Sequence, residues 1–330
     1  MDKRKIIIDT DPGCDDGIAI ISALAYNKFD ILGITCVAGN KSLPVVVPNA
    51  LRLVDFYNRD IPVCKGAHNC LDKLESNEEQ ENLGVDFHGK DGMGESGLPY
   101  TERCLSEQNA WDFLLEKIKE YPNEIELITL GPLTNIALAI QKDIETMKKL
   151  KSITIMGGSI YLPGNTTKYA EYNIWFDALS ANIVVDSLAE YVPIKLIGQD
   201  ATHGTVLTHK LFDLLSYEGG DRGILLEKIA RTLFKSYFYT HYTDTRIYGA
   251  IIHDLYTVLS VIDSSIINKE EQLKVKVLLD EEHLGQTCPC DDGKMITAVL
   301  DFDDTKLKRL FLNLMMPDKK DLIEKDLELL

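Results

Sequence analysis

The chain has 330 residues, 45% hydrophobic and 26% charged, ordinary proportions for a globular protein with a sizeable buried core. Its 52 acidic and 35 basic residues give a net charge of −17, which argues against nucleic acid or an anionic membrane as a partner, since both need a basic surface. The apolar run in the opening MDKRKIIIDTD is too short for a signal peptide, no stretch is long enough to span a bilayer, and seven scattered cysteines fit reduced thiols, so a cytoplasmic protein is expected.

Short β-rich runs alternate with longer amphipathic stretches. Strands are predicted at 5–9, 31–37, 61–64, 125–130, 152–156 and 192–197, with later ones at 274–280 and 294–300. Helices are predicted over 15–27, 43–58, 108–120, 132–142, 209–216, 221–240, 254–262 and 303–315. Strands that are apolar throughout and separated by helices predict an α/β fold, with an open, mainly parallel sheet flanked by helices. The last two strands lack a helix between them, which predicts an antiparallel edge near the C-terminus. With no internal repeat or low-complexity linker, residues 1–330 are expected to form a single domain. Two polar, glycine-containing segments, 66–106 and 157–173, read as loops of the length that more often serves function.

The polar clusters follow the strands. Asp9, Asp11, Asp15 and Asp16 come after the first, AGN (38–40) after the second, TLGPLTN ends at 135, and MGGSIYLPGNTTKYAEYN occupies 156–173. In an open α/β sheet, ligands bind beyond the carboxyl ends of the strands, so these clusters converge on one rim. Four carboxylates within residues 9–16 need a positive partner, and oxygen-only donors imply a hard cation, Ca²⁺ or Mg²⁺. Helix capping accounts for one of these acids and not for four. An EF-hand register from Asp9 fails, because Gly13 and Ile20 fall where ligands are required. An aspartyl phosphatase would want a lysine that is not identifiable, and Cys14 as nucleophile is disfavoured because the adjacent acids oppose its thiolate.

Taken together, DTDPGCDD (9–16), VAGN (37–40), LGPLTNIALA (130–139), MGG (156–158), GN (164–165), AEYN (170–173) and HD (253–254) resemble the nucleoside hydrolases of the inosine-uridine preferring type. The resemblance implies an open α/β fold, a tightly bound Ca²⁺, and hydrolysis of the N-glycosidic bond of ribonucleosides by a calcium-bound water. It implies Asp11 as metal ligand and general base, Asp16 and Asp254 as further carboxylate ligands, and the Leu130 carbonyl as a backbone ligand. Asp15 and Asn40 match residues on the ribose 2′-hydroxyl side, Asn173 and Asp254 those on the 3′ side, and Asn165 and Glu171 those near the 5′-hydroxyl. Family members are commonly homodimers or homotetramers.

The departing base needs a proton or a strong hydrogen bond. His253, beside Asp254, is the leading candidate for this duty, with His88 in a segment resembling the family's HGxDG and His241 as further possibilities. Aromatics in 237–248 offer a wall for the nucleobase, with Phe238 and Tyr242 the preferred pair. Rival readings are a non-catalytic nucleoside- or pentose-binding protein, a hydrolase of another N-riboside, and a metal-dependent phosphohydrolase. Cys288-Pro-Cys290 lacks the further ligands a zinc site needs, and Asp303 and Asp304 read as caps of the last predicted helix.

Overall fold

The computed structural model describes residues 3–75, 87–238 and 249–327. Among the described residues eleven strands are formed: β1 (Arg4–Thr10), β2 (Phe29–Cys36), β3 (Val63–Lys65), β4 (Ile125–Thr129), β5 (Ser152–Met156), β6 (Ile194–Ile197), β7 (Leu207–Thr208), β8 (Gly249–Ala250), β9 (Ile267–Val277), β10 (Thr287–Pro289) and β11 (Lys294–Phe302). Nine of them build the main sheet in the order β10-β9-β11-β6-β5-β4-β1-β2-β3, while β7 and β8 pair separately. Pairing is parallel from β3 across to β11, and antiparallel between β11 and β9 and between β9 and β10.

The apolar character of β1 follows from where it lies. Ile6 and Ile8 pack into one core cluster and Ile7 into another on the opposite face, the period-two alternation of a strand. All three are fully buried, each contributing about 1.5–3 kcal/mol by removal from water, so the strand reads as a continuous run and not as an alternating one. Helices α1 (Cys14–Ala25), α2 (Leu43–Phe56), α8 (His209–Glu218), α9 (Gly220–Tyr237), α10 (His253–Ile262) and α11 (Asp304–Met315) bring side chains to the Ile6–Ile8 face. Helices α3 (Ala110–Glu120), α4 (Thr134–Met147) and α6 (Ala178–Leu188) cover the other face. The short helices α5 (Tyr172–Phe176), α7 (Gln199–Thr202) and α12 (Lys320–Asp326) complete the set named here.

Several expectations shift in detail. β9 begins at Ile267 rather than 274, because its first residues, INKEEQ, are mostly solvent-exposed and carry no apolar signal. The antiparallel edge near the C-terminus forms as expected from β11, β9 and the three-residue β10, although β11 itself also pairs with β6 and so lies inside the sheet. Helix α6 was not expected, since ALSANIVVDSL mixes small, polar and β-branched residues without a clean periodic stripe. Asp303 does cap α11, accepting a hydrogen bond from the Lys306 N–H. Among the described residues no helix is long and apolar enough to cross a membrane, and all seven cysteines are free.

The topology places a ligand site. The chain lays down β1, β2 and β3 outward in one direction, then returns to set β4 on the other side of β1. The connections leaving β1 and β4 therefore diverge to opposite faces, opening a crevice at their carboxyl ends, the position where ligands bind in doubly wound sheets.

Gly33 in β2 sits just past a register shift opposite Ile6 and Ile7, and a Cβ there would lie 2.3 Å from Cζ of the buried Phe113. Gly33→Ala is therefore expected to overpack the β2–α3 contact and destabilise the fold by about 1–3 kcal/mol. Urea unfolding checks this, and an unchanged midpoint would contradict the packing described.

Candidate active site

Asp9, the penultimate residue of β1, is fully buried, with the Thr35 hydroxyl (2.5 Å) and the Asn135 amide (2.8 Å) donating to its Oδ2. Burial pushes its carboxyl up to about 7. Two residues on, Asp11 lies between the turns that follow β2 and β4. A Cβ on Gly39 would stand 2.1 Å from its Oδ2, and one on Gly131 would stand 2.4 Å from its Oδ1, so both turns need glycine to approach so closely. The Asn40 N–H donates to Asp11 Oδ2 at 2.5 Å, while Oδ1 has no hydrogen-bond partner. Burial first, and then the charges of Asp16 and Asp15, hold the Asp11 carboxyl well above the usual carboxylate range.

Pro12 and Gly13 turn the chain into α1, whose first turn carries Asp15 and Asp16. Asp16 accepts from the Thr10 hydroxyl, from the Gly13 N–H (2.9 Å) and from the Asn40 amide (2.9 Å), so it does cap the helix. Asp15 has an oxygen without a hydrogen-bond partner, and burial raises its carboxyl to about 6. Asp254 enters from the first turn of α10. Burial and then the charges of Asp15, Asp16 and Asp11 push its carboxyl well up, so the cluster favours protonation unless a cation neutralises it.

Asp15, Asp16 and Asp254 each offer one oxygen, and these atoms lie within 4.8 Å of one another. Asp11 is outside that trio, yet its partnerless Oδ1 and its mutual repulsion with Asp15 and Asp16 put it beside them. An all-oxygen donor set with buried oxygens left unsatisfied fits a hard divalent cation.

The 157–173 segment closes the other side. Glu171 caps α5: its Oε1 accepts from the Asn173 N–H (3.0 Å), and its Oε2 from the N–H groups of Gly158 (3.0 Å) and Ile174 (3.2 Å). Burial nevertheless pushes this carboxyl up to about 7. The Asn173 amide donates to the Leu130 carbonyl at 2.7 Å. The exposed Asn165 accepts from the Tyr172 N–H at 2.9 Å, and the Tyr172 hydroxyl donates to the Gly39 carbonyl at 2.9 Å, linking this loop to the turn beside Asp11.

His253 is buried, with Nδ1 2.7 Å from the Thr202 hydroxyl and Nε2 3.2 Å from the Tyr237 hydroxyl. The Cys14 N–H donates to His88 Nδ1 at 3.0 Å, which also sits 3.7 Å from Asp15 Oδ1, so His88 joins the rim rather than standing apart in a loop. Burial, followed by Asp15, pushes the Cys14 thiol well up, in keeping with an inert side chain. Phe238 is 41% exposed, whereas His241 and Tyr242 lie outside the described residues. Thr202 was missed from sequence, and Tyr237 was read only as one of the aromatics in 237–248, not as a partner of His253. The signal for Tyr237 was its helical spacing: Leu226, Ala230, Leu233 and Tyr237 form the buried stripe of α9, and Phe238 falls one residue off it.

The family model described as inosine-uridine preferring nucleoside hydrolase matches residues 6–309. A probable uridine nucleosidase 2 from Arabidopsis thaliana is 35% identical over 271 residues, covering 82% of this chain and 81% of its own length. The pyrimidine-specific ribonucleoside hydrolase RihB of Escherichia coli is 31% identical, with 88% of each chain covered. Among solved structures, a purine-preferring ribonucleoside hydrolase from Gardnerella vaginalis superposes with a TM-score of 0.87 at 26% identity, covering 96% of this chain and all (100%) of that one. A plant nucleoside hydrolase gives 0.85 at 29%, covering 95% and 99%. With its sheet, its rim of acids and this match over nearly the whole chain, the protein belongs to the inosine-uridine preferring nucleoside hydrolase family, whose members are N-ribosyl hydrolases.

Proposed function

We propose that the protein hydrolyses the N-glycosidic bond of ribonucleosides to ribose and free base, with Ca²⁺ held by Asp11, Asp16, Asp254 and the Leu130 carbonyl. The observation that carries this reading is the gathering of Asp15, Asp16 and Asp254 within 4.8 Å, beside an Asp11 whose Oδ1 is left without a partner. When bound, calcium supplies Lewis acidity toward water and an anchor for the vicinal hydroxyls of a ribose. Asp11, ionised beside that charge, accepts the proton of the water attacking C1′. Asp15 and Asn40 meet the 2′-hydroxyl, Asn173 and Asp254 the 3′-hydroxyl, and Asn165 and Glu171 the 5′-hydroxyl. The carboxylates around the sugar stabilise the positive charge it develops as the base leaves.

His253 supplies the proton to the departing base. Both of its ring nitrogens already meet hydroxyls within the protein, so the proton reaches the base from Nε2 through Tyr237. His88, Phe238, His241 and Tyr242 form the nucleobase side. We further propose a cytoplasmic, single-domain protein that assembles as a homodimer or homotetramer.

Uridine is the first substrate to test, because the Arabidopsis and Escherichia coli relatives carry uridine and pyrimidine in their names. Incubation with uridine, cytidine, inosine and a nucleotide should release reducing sugar from nucleosides and no phosphate. Asp11→Asn should lower that turnover by a factor on the order of 10² to 10⁴ while leaving the circular-dichroism spectrum unchanged. Phosphate release, or near-normal turnover in the variant, would defeat the reading.

His253→Ala and Tyr237→Phe should each slow uridine hydrolysis far more than hydrolysis of a nitrophenyl riboside, whose leaving group needs no proton. Equal losses on both substrates would remove the pair from leaving-group duty.

The acids also predict a metal- and pH-dependent stability. Asp9 and Glu171 near 7 and Asp15 near 6 lie above their ordinary values of 3.8 to 4.5, so the cation-free fold favours their protonated forms. That contribution is complete below the unfolded values and is lost as pH rises through about 6 to 7. The assigned ligands Asp11, Asp16 and Asp254 are likewise held above the ordinary carboxylate value by burial and neighbouring acids, so protons compete with the cation and added Ca²⁺ should raise Tm over a chelated sample more at pH ~8 than at pH ~5. A shift that is larger at the lower pH, or absent at both, would count against the assigned site.

A further inference from the structure

We infer that Thr287, on the outermost strand β10, is a positioning residue for the 5′ end of the substrate, an inference that rests on the proposed role of Glu171 at the 5′-hydroxyl. Thr287 is buried, and its single hydroxyl makes two hydrogen bonds to one residue. It accepts from the Ser159 N–H at 2.9 Å and donates to the Ser159 carbonyl at 2.7 Å. A hydroxyl carries one proton and free lone pairs, so this arrangement uses both its donor and its acceptor capacity to hold both polar groups of one peptide position.

The clamped residue directly follows Gly158, whose N–H donates to Glu171 Oε2 at 3.0 Å. Gly158 has φ +80°, and a Cβ there would lie 3.0 Å from both Oγ1 and Cγ2 of Thr287, so the threonine also walls in the glycine from the side. The Gly158 carbonyl is fixed in turn by the Gln199 N–H at 2.9 Å. From Asp200, the next residue in α7, the carboxylate accepts from the N–H groups of Ile160 (2.7 Å) and Tyr161 (2.8 Å). The 157–161 turn is thus pinned from α7 on one side and from β10 on the other, and the part of it that orients Glu171 is adjacent to the Thr287 clamp.

The hairpin leading into β10 supports the same segment at two further points. A Cβ on Gly285 (φ +80°) would lie 2.7 Å from the Trp175 Cα, so the hairpin backbone presses against α5, the helix that Glu171 caps. The His283 and Tyr169 rings have centroids 4.8 Å apart. The antiparallel strands at the end of the sheet therefore brace the loop that carries Glu171 and Asn173. Loss of the Thr287 hydroxyl frees the Ser159 peptide, lets Gly158 shift, and loosens one of the three N–H groups that aim the Glu171 carboxylate. The effect acts through Glu171 and so falls on substrates that have a 5′-hydroxyl.

The test compares kcat/KM for uridine and 5′-deoxyuridine in the wild-type protein, in Thr287→Val, which keeps the shape and removes the hydroxyl, and in Thr287→Ser, which keeps the hydroxyl. The wild-type protein should prefer uridine. Thr287→Val should lower that preference by roughly fivefold or more, mainly through a raised KM for uridine, while Thr287→Ser should keep it within about twofold. Should Thr287→Val fail to fold, Thr287→Cys, with its weak donor and acceptor, should show an intermediate preference. A wild-type preference retained in the valine variant, or an equal loss on both substrates, would overturn the inference. A wild-type protein indifferent to the 5′-hydroxyl would instead overturn the assignment of Glu171, and the inference would fall with it.

Discussion

Mutual repulsion among buried carboxylates governs this molecule. Asp11, Asp16 and Asp254 are almost wholly shielded from water, Asp15 is partly exposed, and the charges of Asp11, Asp15 and Asp16 raise the cost of ionising acids beside them. Such a cluster destabilises a fold unless protons or a cation neutralise it. The chain commits the ends of β1 and the first turns of α1 and α10 to holding it, a placement that makes little sense for stability and good sense for gripping a divalent ion and a sugar. The switch point of the sheet makes it geometrically feasible, because the connections after β1 and β4 part there to opposite faces.

Bringing Asp11 into the crevice depends on backbone that carries no side chain. Gly39 and Gly131 flank its carboxylate so closely that any Cβ would collide with it. The same turns supply the Asn40 N–H to its Oδ2 and the Leu130 carbonyl that the Asn173 amide engages. Donors and acceptors around Asp11 are therefore mostly main-chain groups, fixed by the sheet register rather than by rotamer choice. A carboxylate held in this way has little rotamer freedom left to lose when a ligand arrives.

Much of this was legible in the sequence, because parallel strands buried on both faces write themselves as apolar runs and the polar clusters follow them. Asp9, Asp11, Asp15 and Asp16 announce themselves as an improbable density of charge after such a run. The cluster that includes Asp254 was less legible from spacing alone, since it joins residues more than two hundred positions apart, and its assignment leaned on family resemblance. Thr202 and Tyr237 gave no signal as polar partners of His253, because a threonine in a four-residue helix and a tyrosine in an aromatic stretch each have an ordinary packing explanation. The first half of β9 was invisible for the opposite reason: its exposed INKEEQ looks like a loop, and only pairing with β11 makes it a strand.

The division of labour between sheet and helices bears on how substrate choice is organised. The residues proposed to grip ribose arise at strand ends, at the first turns of α1 and α10, and in the braced 157–173 segment, all tied to the register of the sheet. The groups proposed for the nucleobase come from elsewhere: His88 beyond β3, Tyr237 and Phe238 at the end of α9, and the stretch after it. Proteins named for uridine, pyrimidine and purine substrates share this family or fold, with TM-scores of 0.85 and 0.87 for the two structures compared. A constant sugar grip on a shared sheet, with base contacts delivered by separable helix ends, would let base preference change without disturbing the acid cluster. His88 is where the two halves meet, since its Nδ1 accepts from the Cys14 N–H and lies 3.7 Å from Asp15, whereas Tyr237 and Phe238 reach the site from a helix end that carries none of the four acids.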